Sequence, residues 1–250
     1  MRLYTLGRVS LLTSLPLLAM AVCTRQTSQR VINRLGVDRA SEAALVISSA
    51  FPLSSPHSWG RALGMDGNNM APYMTGYLEK QLAEDSPPSF GLFEEGEGLL
   101  GAIICERKSW KKEKEQAEES PALEYSPSIA IEGLLSACDE KWHRAVGGNP
   151  RLAQLASLSP YYGYVAWMAT AEQHRGKGIS YKLVEHATAA LAQQALGAAV
   201  AYTVSPAATR VFERCGYLKV DEVKYAEWEM CGRRPFSILP DEVSIMVKEL

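Results

Sequence analysis

Hydrophobic positions along this chain recur at strand-like and helix-like spacings, with turn residues between the runs. Val31 to Val37 predicts a short first strand. Asp38 and Ser41 offer N-caps for a helix with Ala43, Ala44 and Ile47 on one face. Pro52 to Asn69 is rich in Ser, Gly, Pro and Asn and predicts a loop with short turns. Tyr73, Tyr77, Leu78 and Leu82 then recur at helical spacing. Ser89 to Phe93 and Leu99 to Cys105 are apolar runs on either side of Glu94 to Gly98, which predicts a hairpin. Ser109 to Ser128 is charged and Pro-containing and reads as a linker. Ile129 to Val146 predicts a helix with Ile131, Leu134, Leu135, Cys138, Trp142 and Val146 on one stripe, ended by Gly147-Gly148-Asn149-Pro150.

The second half is more regular. Tyr161 to Thr170 predicts an aromatic and apolar strand. A glycine-containing loop follows, and Ile179 to Leu196 predicts a helix with Ile179, Leu183, Val184, Ala187 and Leu191 inward and Gly197 as C-cap. Ala198 to Val204 predicts a strand, and Pro206 to Arg214 a short helix closed by Gly216. Val243 to Val247 predicts a last strand. No internal repeat is visible.

Composition narrows the function. The 250 residues are 47% hydrophobic and 22% charged, enough apolar material for one sizeable core. The net charge of -2 favours no nucleic-acid partner. Lys108, Lys111, Lys112 and Lys114 are soon offset by Glu113, Glu115, Glu118 and Glu119, as in a solvated segment. The five cysteines are widely spaced with no C-x-x-C pair, and the four histidines lack metal-ligand spacing. No disulfide framework and no metal are expected. A reducing compartment suits this cysteine usage.

The N-terminal segment reads separately. Val9 to Val22 is mostly apolar, but it has 14 residues and holds Pro16, too short for a stable membrane span. Arg2, Arg8, Arg25, Arg30 and Arg34 surround it, and no acid precedes Asp38, as in an organelle transit peptide. Ala19-Met20-Ala21 also offers a small-residue cleavage site. Residues 1–27 are therefore read as an extension. Location is cytoplasmic, or organellar if this extension targets the chain; it could equally pack on the domain that follows.

The strongest chemical signal is Gln173-His174-Arg175-Gly176-Lys177-Gly178. A strand enters this loop and a helix leaves it. A helix start leaves backbone N–H groups unpaired and presents a positive dipole end. Gly176 and Gly178 allow the backbone to approach an anion, and Arg175 and Lys177 add charge. A pyrophosphate fits such a cradle. The spacing is neither that of a Walker loop nor that of a dinucleotide fingerprint. His174 reads as a solvated loop residue.

The Q-x-x-G-x-G loop with its flanking strand and helix resembles motif A of the GNAT superfamily of N-acetyltransferases. Ser205-Pro206-Ala207-Ala208-Thr209-Arg210-Val211-Phe212-Glu213-Arg214-Cys215-Gly216-Tyr217 resembles motif B. The likeness runs from Arg30 to Leu250 and is densest from Tyr164 to Tyr217. The helix at 129–146, and the ending from Val223 to Trp228 and on to Val243 to Lys248, resemble the arylalkylamine branch. The resemblance implies an α/β fold with a central, mixed, mostly antiparallel twisted sheet. Helices would flank both faces, and the sheet would splay between its fourth and fifth strands. Residues 28–250 would form this domain, with a charged linker and extra helix at about 108–150.

The same resemblance implies acetyl-CoA as cosubstrate and a primary amine as acceptor, small and arylalkyl in kind, in a monomer or homodimer. Met168, Ala169 and Thr170 would pair with the pantetheine arm. Arg175, Gly176, Lys177, Gly178, Ile179 and Ser180 would hold the pyrophosphate. The amine would attack the thioester after losing a proton, since an alkylammonium has a pKa of about 10. Phe212 stands where the family's motif-B tyrosine falls and can donate no proton. Ser205 matches a serine proposed to serve in the arylalkylamine branch, and reads equally as an N-cap for the Pro206 helix. Ala208 fills the second serine position, and Ser54-Ser55-Pro56 takes the place of a Glu-Pro pair. The general base is left unassigned. Protein N-terminal or lysine acetylation, and an acyl-CoA-binding module of weak activity, stand as alternatives.

Overall fold

The computed structural model describes residues 29–83, 87–111 and 126–250. Among the described residues seven strands form one sheet: β1 (Arg30–Arg34), β2 (Phe90–Glu94), β3 (Gly98–Ser109), β4 (Tyr161–Thr170), β5 (Ala198–Thr203), β6 (Leu218–Lys224) and β7 (Glu242–Glu249). Their order is β1-β2-β3-β4-β5-β7-β6. Every neighbouring pair is antiparallel except β4 and β5, which run parallel. The helices are α1 (Ala40–Ser48), α2 (Trp59–Leu63), α3 (Gly67–Ala83), α4 (Pro127–Gly148), α5 (Pro150–Leu158), α6 (Ile179–Ala192) and α7 (Pro206–Arg214). This is the mixed, mostly antiparallel sheet with helices on both faces that the sequence led us to expect.

Two apolar layers hold the sheet. On one face, Ala44 and Ile47 of α1, Met74 and Leu78 of α3, and Leu134, Cys138 and Trp142 of α4 meet Ala102, Ile104, Tyr162 and Tyr164. On the other, Ile179, Leu183, Ala187 and Leu191 of α6 and Phe212 of α7 meet Leu100, Ile103, Val165 and Ala201. α4 begins as its sequence dictates: Ser126 accepts a hydrogen bond from the Ile129 amide at 3.3 Å, and Pro127 occupies the first turn. An aromatic cluster anchors it, with Trp142 5.7 Å from Trp110 and 5.6 Å from Tyr162, centroid to centroid.

Several boundaries differ from expectation. β1 ends at Arg34, and Val37–Arg39 form a single 3-10 turn. Neither Asp38 nor Ser41 caps α1; its N-cap is Arg39, without a side-chain bond. The expected loop at 52–69 contains α2, capped by Ser58, and the first turn of α3. α3 buries Met70, Met74 and Leu78, whereas Tyr73 is exposed and Tyr77 lies at the edge of the core. Asn149-Pro150 does not simply end a helix. Asn149 accepts from the Arg151 and Leu152 amides and starts α5. α6 ends at Ala192 with Gln193 as C-cap, so Gly197 is not its cap. β6 is a strand of polar sequence that the hydrophobic pattern did not mark. β3 runs on to Ser109, and most of the expected linker, like residues 1–27, lies outside the described residues. Among the described residues no helix is long and apolar enough to cross a membrane.

One close approach fixes where α6 begins. A Cβ on Gly101 of β3 would lie 2.8 Å from Ile179 Cγ2 and 3.0 Å from the Ala169 carbonyl oxygen. The missing side chain lets the start of α6 rest on the sheet beside the end of β4. Replacing Gly101 with Val is expected to lower stability by about 1–3 kcal/mol through overpacking. Urea unfolding measures this, and an unchanged midpoint would contradict the close approach.

Candidate active site

β4 and β5 pair over three residues only: Gly163 with Ala199, Tyr164 with Val200, and Val165 with Ala201. Beyond Val165 the strands part, so Trp167–Thr170 pair with β3 but not with β5. A bulge sits at the parting point. Ile104 faces Trp167 while Cys105 faces Val165, so Ala166 is an extra residue in β4. The extra residue breaks the alternation, and Ala166 and Trp167 both line the same cavity. The backbone groups of 166–170 that face β5 are therefore open to a ligand that brings its own donors and acceptors.

The cavity has a volume of about 260 Å³ and lies between this opening and the helices α2, α3 and α4. Its walls are aromatic. Phe51 packs on Trp59 at 6.0 Å and edge-on to Trp167 at 5.9 Å, and Tyr77 meets Trp167 edge-on at 6.3 Å. Phe212 closes the side below α7. Trp59 Nε1 donates to Tyr225 Oη at 2.8 Å, and Tyr225 donates to the Val204 carbonyl at 3.1 Å. That relay ties the segment around α2 to the end of β5.

Few polar groups enter this space. Tyr77 donates to the Glu106 carboxylate through a short hydrogen bond. Burial first, and then the Glu106 charge, hold the Tyr77 hydroxyl far above the usual phenol value, so it stays a proton donor. Burial also raises Tyr164 and Tyr202 well above it. Lys108 Nζ lies 4.0 Å over the Tyr164 ring and 3.4 Å from both oxygens of Asp139, which also accepts from Tyr202 at 2.5 Å.

The glycine loop stands at the far end of β4. Glu172–His174 form one 3-10 turn, and Gly176 and Gly178 both take φ of +75°. Gly178 is the N-cap of α6 and, having no side chain, caps none of its amides. A Cβ at either glycine would meet nothing within 4 Å, so the space above them is open. Arg175 Nη2 donates to the Ser49 carbonyl at 2.9 Å, which fastens the loop to the end of α1. Thr170 and Ser180 share a hydroxyl bond of 2.8 Å across the loop. His174 is buried, contrary to the expectation of a solvated residue. Its Nδ1 lies 3.3 Å from Lys177 Nζ and its Nε2 lies 3.6 Å from Glu97 in the β2–β3 turn.

Motif-B positions are placed as follows. Ser205 is the N-cap of α7 and accepts from the Ala208 amide at 3.3 Å. Phe212 is buried in the wall of the cavity, and Tyr217 is buried against it at 4.9 Å. Cys215 is held by burial, and then by Glu185, at about 11, so its thiol stays protonated. Met168, Ala169 and Thr170 lie on the open stretch of β4. The sequence reading missed Glu106, Tyr77 and Trp167 as site residues. A lone carboxylate, at the first position past the apolar run of β3, is the one local signal.

A sheet parted between its parallel strands, with a helix start at the end of the first of them, is the arrangement of the GNAT fold. Residues 137–219 match the family model for the acetyltransferase (GNAT) domain. The chain has the GNAT fold. In shape it is similar to the polyamine N-acetyltransferase of Drosophila melanogaster, with a TM-score of 0.68, 17% identity, and coverage of 89% of this chain and 100% of that one. It is likewise similar to arylalkylamine N-acetyltransferase 2 of Aedes aegypti, with a TM-score of 0.69, 14% identity, and coverage of 88% and 98%. At these identities the likeness is one of fold. None of the curated protein sequences matches this chain.

The Trp59–Tyr225–Val204 relay makes a testable point. Tyr225→Phe leaves the buried Trp59 N–H without its acceptor and is expected to cost about 1–3 kcal/mol. Urea unfolding with intrinsic Trp fluorescence reports it. An unchanged stability would mean the relay does not hold the cavity wall.

Proposed function

We propose that this protein is an acetyl-CoA-dependent N-acetyltransferase that acts on a small primary amine, arylalkyl in kind. The observation that carries this reading is the aromatic cavity opening onto the unpaired stretch of β4. In this reading the pantetheine arm takes the place of the missing β5 partner and pairs with Met168, Ala169 and Thr170. The pyrophosphate sits on the loop of Arg175, Gly176, Lys177 and Gly178 and on the helix start at Ile179 and Ser180. The thioester then points into the cavity, and the amine reaches it from the side of α2 and α3. A volume of about 260 Å³ walled by Phe51, Trp59 and Trp167 suits one small amine with an apolar body better than a peptide.

Backbone amides on the open stretch of β4 supply donors for the tetrahedral oxyanion. Ser205 is proposed as the proton source for the departing thiolate. Its oxygen accepts the Ala208 amide as a cap, which leaves the hydroxyl proton available to donate. Phe212 excludes water from this point and donates nothing. The buried phenols Tyr164 and Tyr202 stay protonated, so neither supplies a base.

Two measurements test the reading. With acetyl-CoA and a panel of arylalkyl and alkyl amines, free thiol should appear in step with acetylated amine. Tight acetyl-CoA binding with no thiol release from amines or peptides would leave only a binding module. Gly178→Glu places a carboxylate at the helix start and strains a residue at φ +75°, at a cost of roughly 1–2 kcal/mol. Acetyl-CoA affinity should fall by at least about 100-fold while circular dichroism keeps the folded spectrum. Unchanged affinity in the folded variant would refute the cradle.

A further inference from the structure

Two carboxylates line the cavity, Glu106 from β3 and Glu132 from α4. Each stands beside a tyrosine of α3: Glu106 accepts from Tyr77, and Glu132 lies by Tyr73, one turn earlier. Their depths differ. Tyr73 and Glu132 are exposed and stand at the mouth, whereas Glu106 is half-buried on the sheet. Glu106 faces Tyr164 across β3–β4, and Tyr164 faces Val200 one pair before β4 and β5 part. The neighbouring cation, Lys108, is turned to Asp139. The His57–Asp241 pair does not line the cavity.

Resting on the acetyl-transfer reading above, we propose that Glu106 is the general base of the reaction, with Tyr77 as its positioning residue. Tyr77 donates to one carboxylate oxygen, Oε1, and so holds Glu106 in place at the cavity wall. An incoming alkylammonium meets negative charge there and loses one proton to water. The neutral amine attacks the thioester carbonyl and a C–N bond forms. The N–H of the adduct is then far more acidic than that of the free ammonium, and its proton passes to Glu106. The C–S bond breaks, the thiolate takes a proton through Ser205, which regains one from water, and Glu106 returns its proton to water. The products are the amide and free CoA thiol, and one proton is released overall, the one the ammonium gave to water.

Glu106→Gln keeps the shape and the Tyr77 contact but removes the base. Its kcat should fall by at least about 100-fold while acetyl-CoA affinity stays within twofold of wild type. Glu106→Ala should be as slow, and millimolar formate should restore part of its thiol release, a rescue that a purely structural role does not give. Tyr77→Phe should lower kcat by less than Glu106→Gln. Glu106→Gln turning over within threefold of wild type overturns the assignment, and so does Glu106→Ala unresponsive to formate while it still binds acetyl-CoA. A wild type that binds acetyl-CoA and acetylates nothing overturns the transfer reading itself, a result distinct from an active wild type with indifferent variants.

Discussion

The site depends on the three-residue pairing of β4 with β5. Parallel strands inside a covered sheet normally pair along their whole length, because unpaired buried backbone groups are costly. Here the pairing stops after Val165, at the bulge that adds Ala166 to β4. The bulge has two effects at once. It turns Ala166 and Trp167 to the same face, which makes a wall of the cavity, and it leaves the strand edge beyond Val165 without a partner. The parted strands remain stable because each keeps its other neighbour: β3 pairs with β4 through Thr170, and β7 pairs with β5 through Thr203.

The two helical layers divide the work around that gap. α6 and α7 lie on one face, and α6 starts where β4 ends, pressed onto the sheet at Gly101. This layer sets the helix start beside the open strand. α1, α3 and α4 lie on the other face and carry the aromatic and acidic lining. Two contacts join the layers near the site. Arg175 reaches the end of α1 at Ser49, and the buried His174 stands 3.6 Å from Glu97 of the β2–β3 turn. The helix start on one face is thereby held in register with the cavity on the other.

Much of this was legible in the sequence, and what was not has physical reasons. The glycine loop could be read locally, because the strand, the turn and the helix that define it are contiguous. α4 could be read from its apolar stripe. α5 could not, because Asn149-Pro150 stops one helix and caps the next with the same residues. β6 is an edge strand whose Lys219, Asp221 and Glu222 stay partly in water, so it shows no apolar alternation. Glycine usually closes helices, yet Gly197 does not close α6; the turn after it is made by Gln193 to Ala195, with Ala195 at φ +54°. The bulge and the place of Glu106 depend on register and on residues far apart in the chain, Tyr77 and Trp167 among them. No local spacing encodes those.

The central claim is that the stretch of β4 beyond Val165 is an open edge that a ligand completes. Amide hydrogen exchange with and without acetyl-CoA tests it directly. The account predicts new protection confined to Ala166–Thr170 and the first turn of α6, with little change in β7 or β6. Unchanged exchange at Ala166–Thr170 in the presence of saturating acetyl-CoA, or protection appearing instead along α4 and β6, would contradict it.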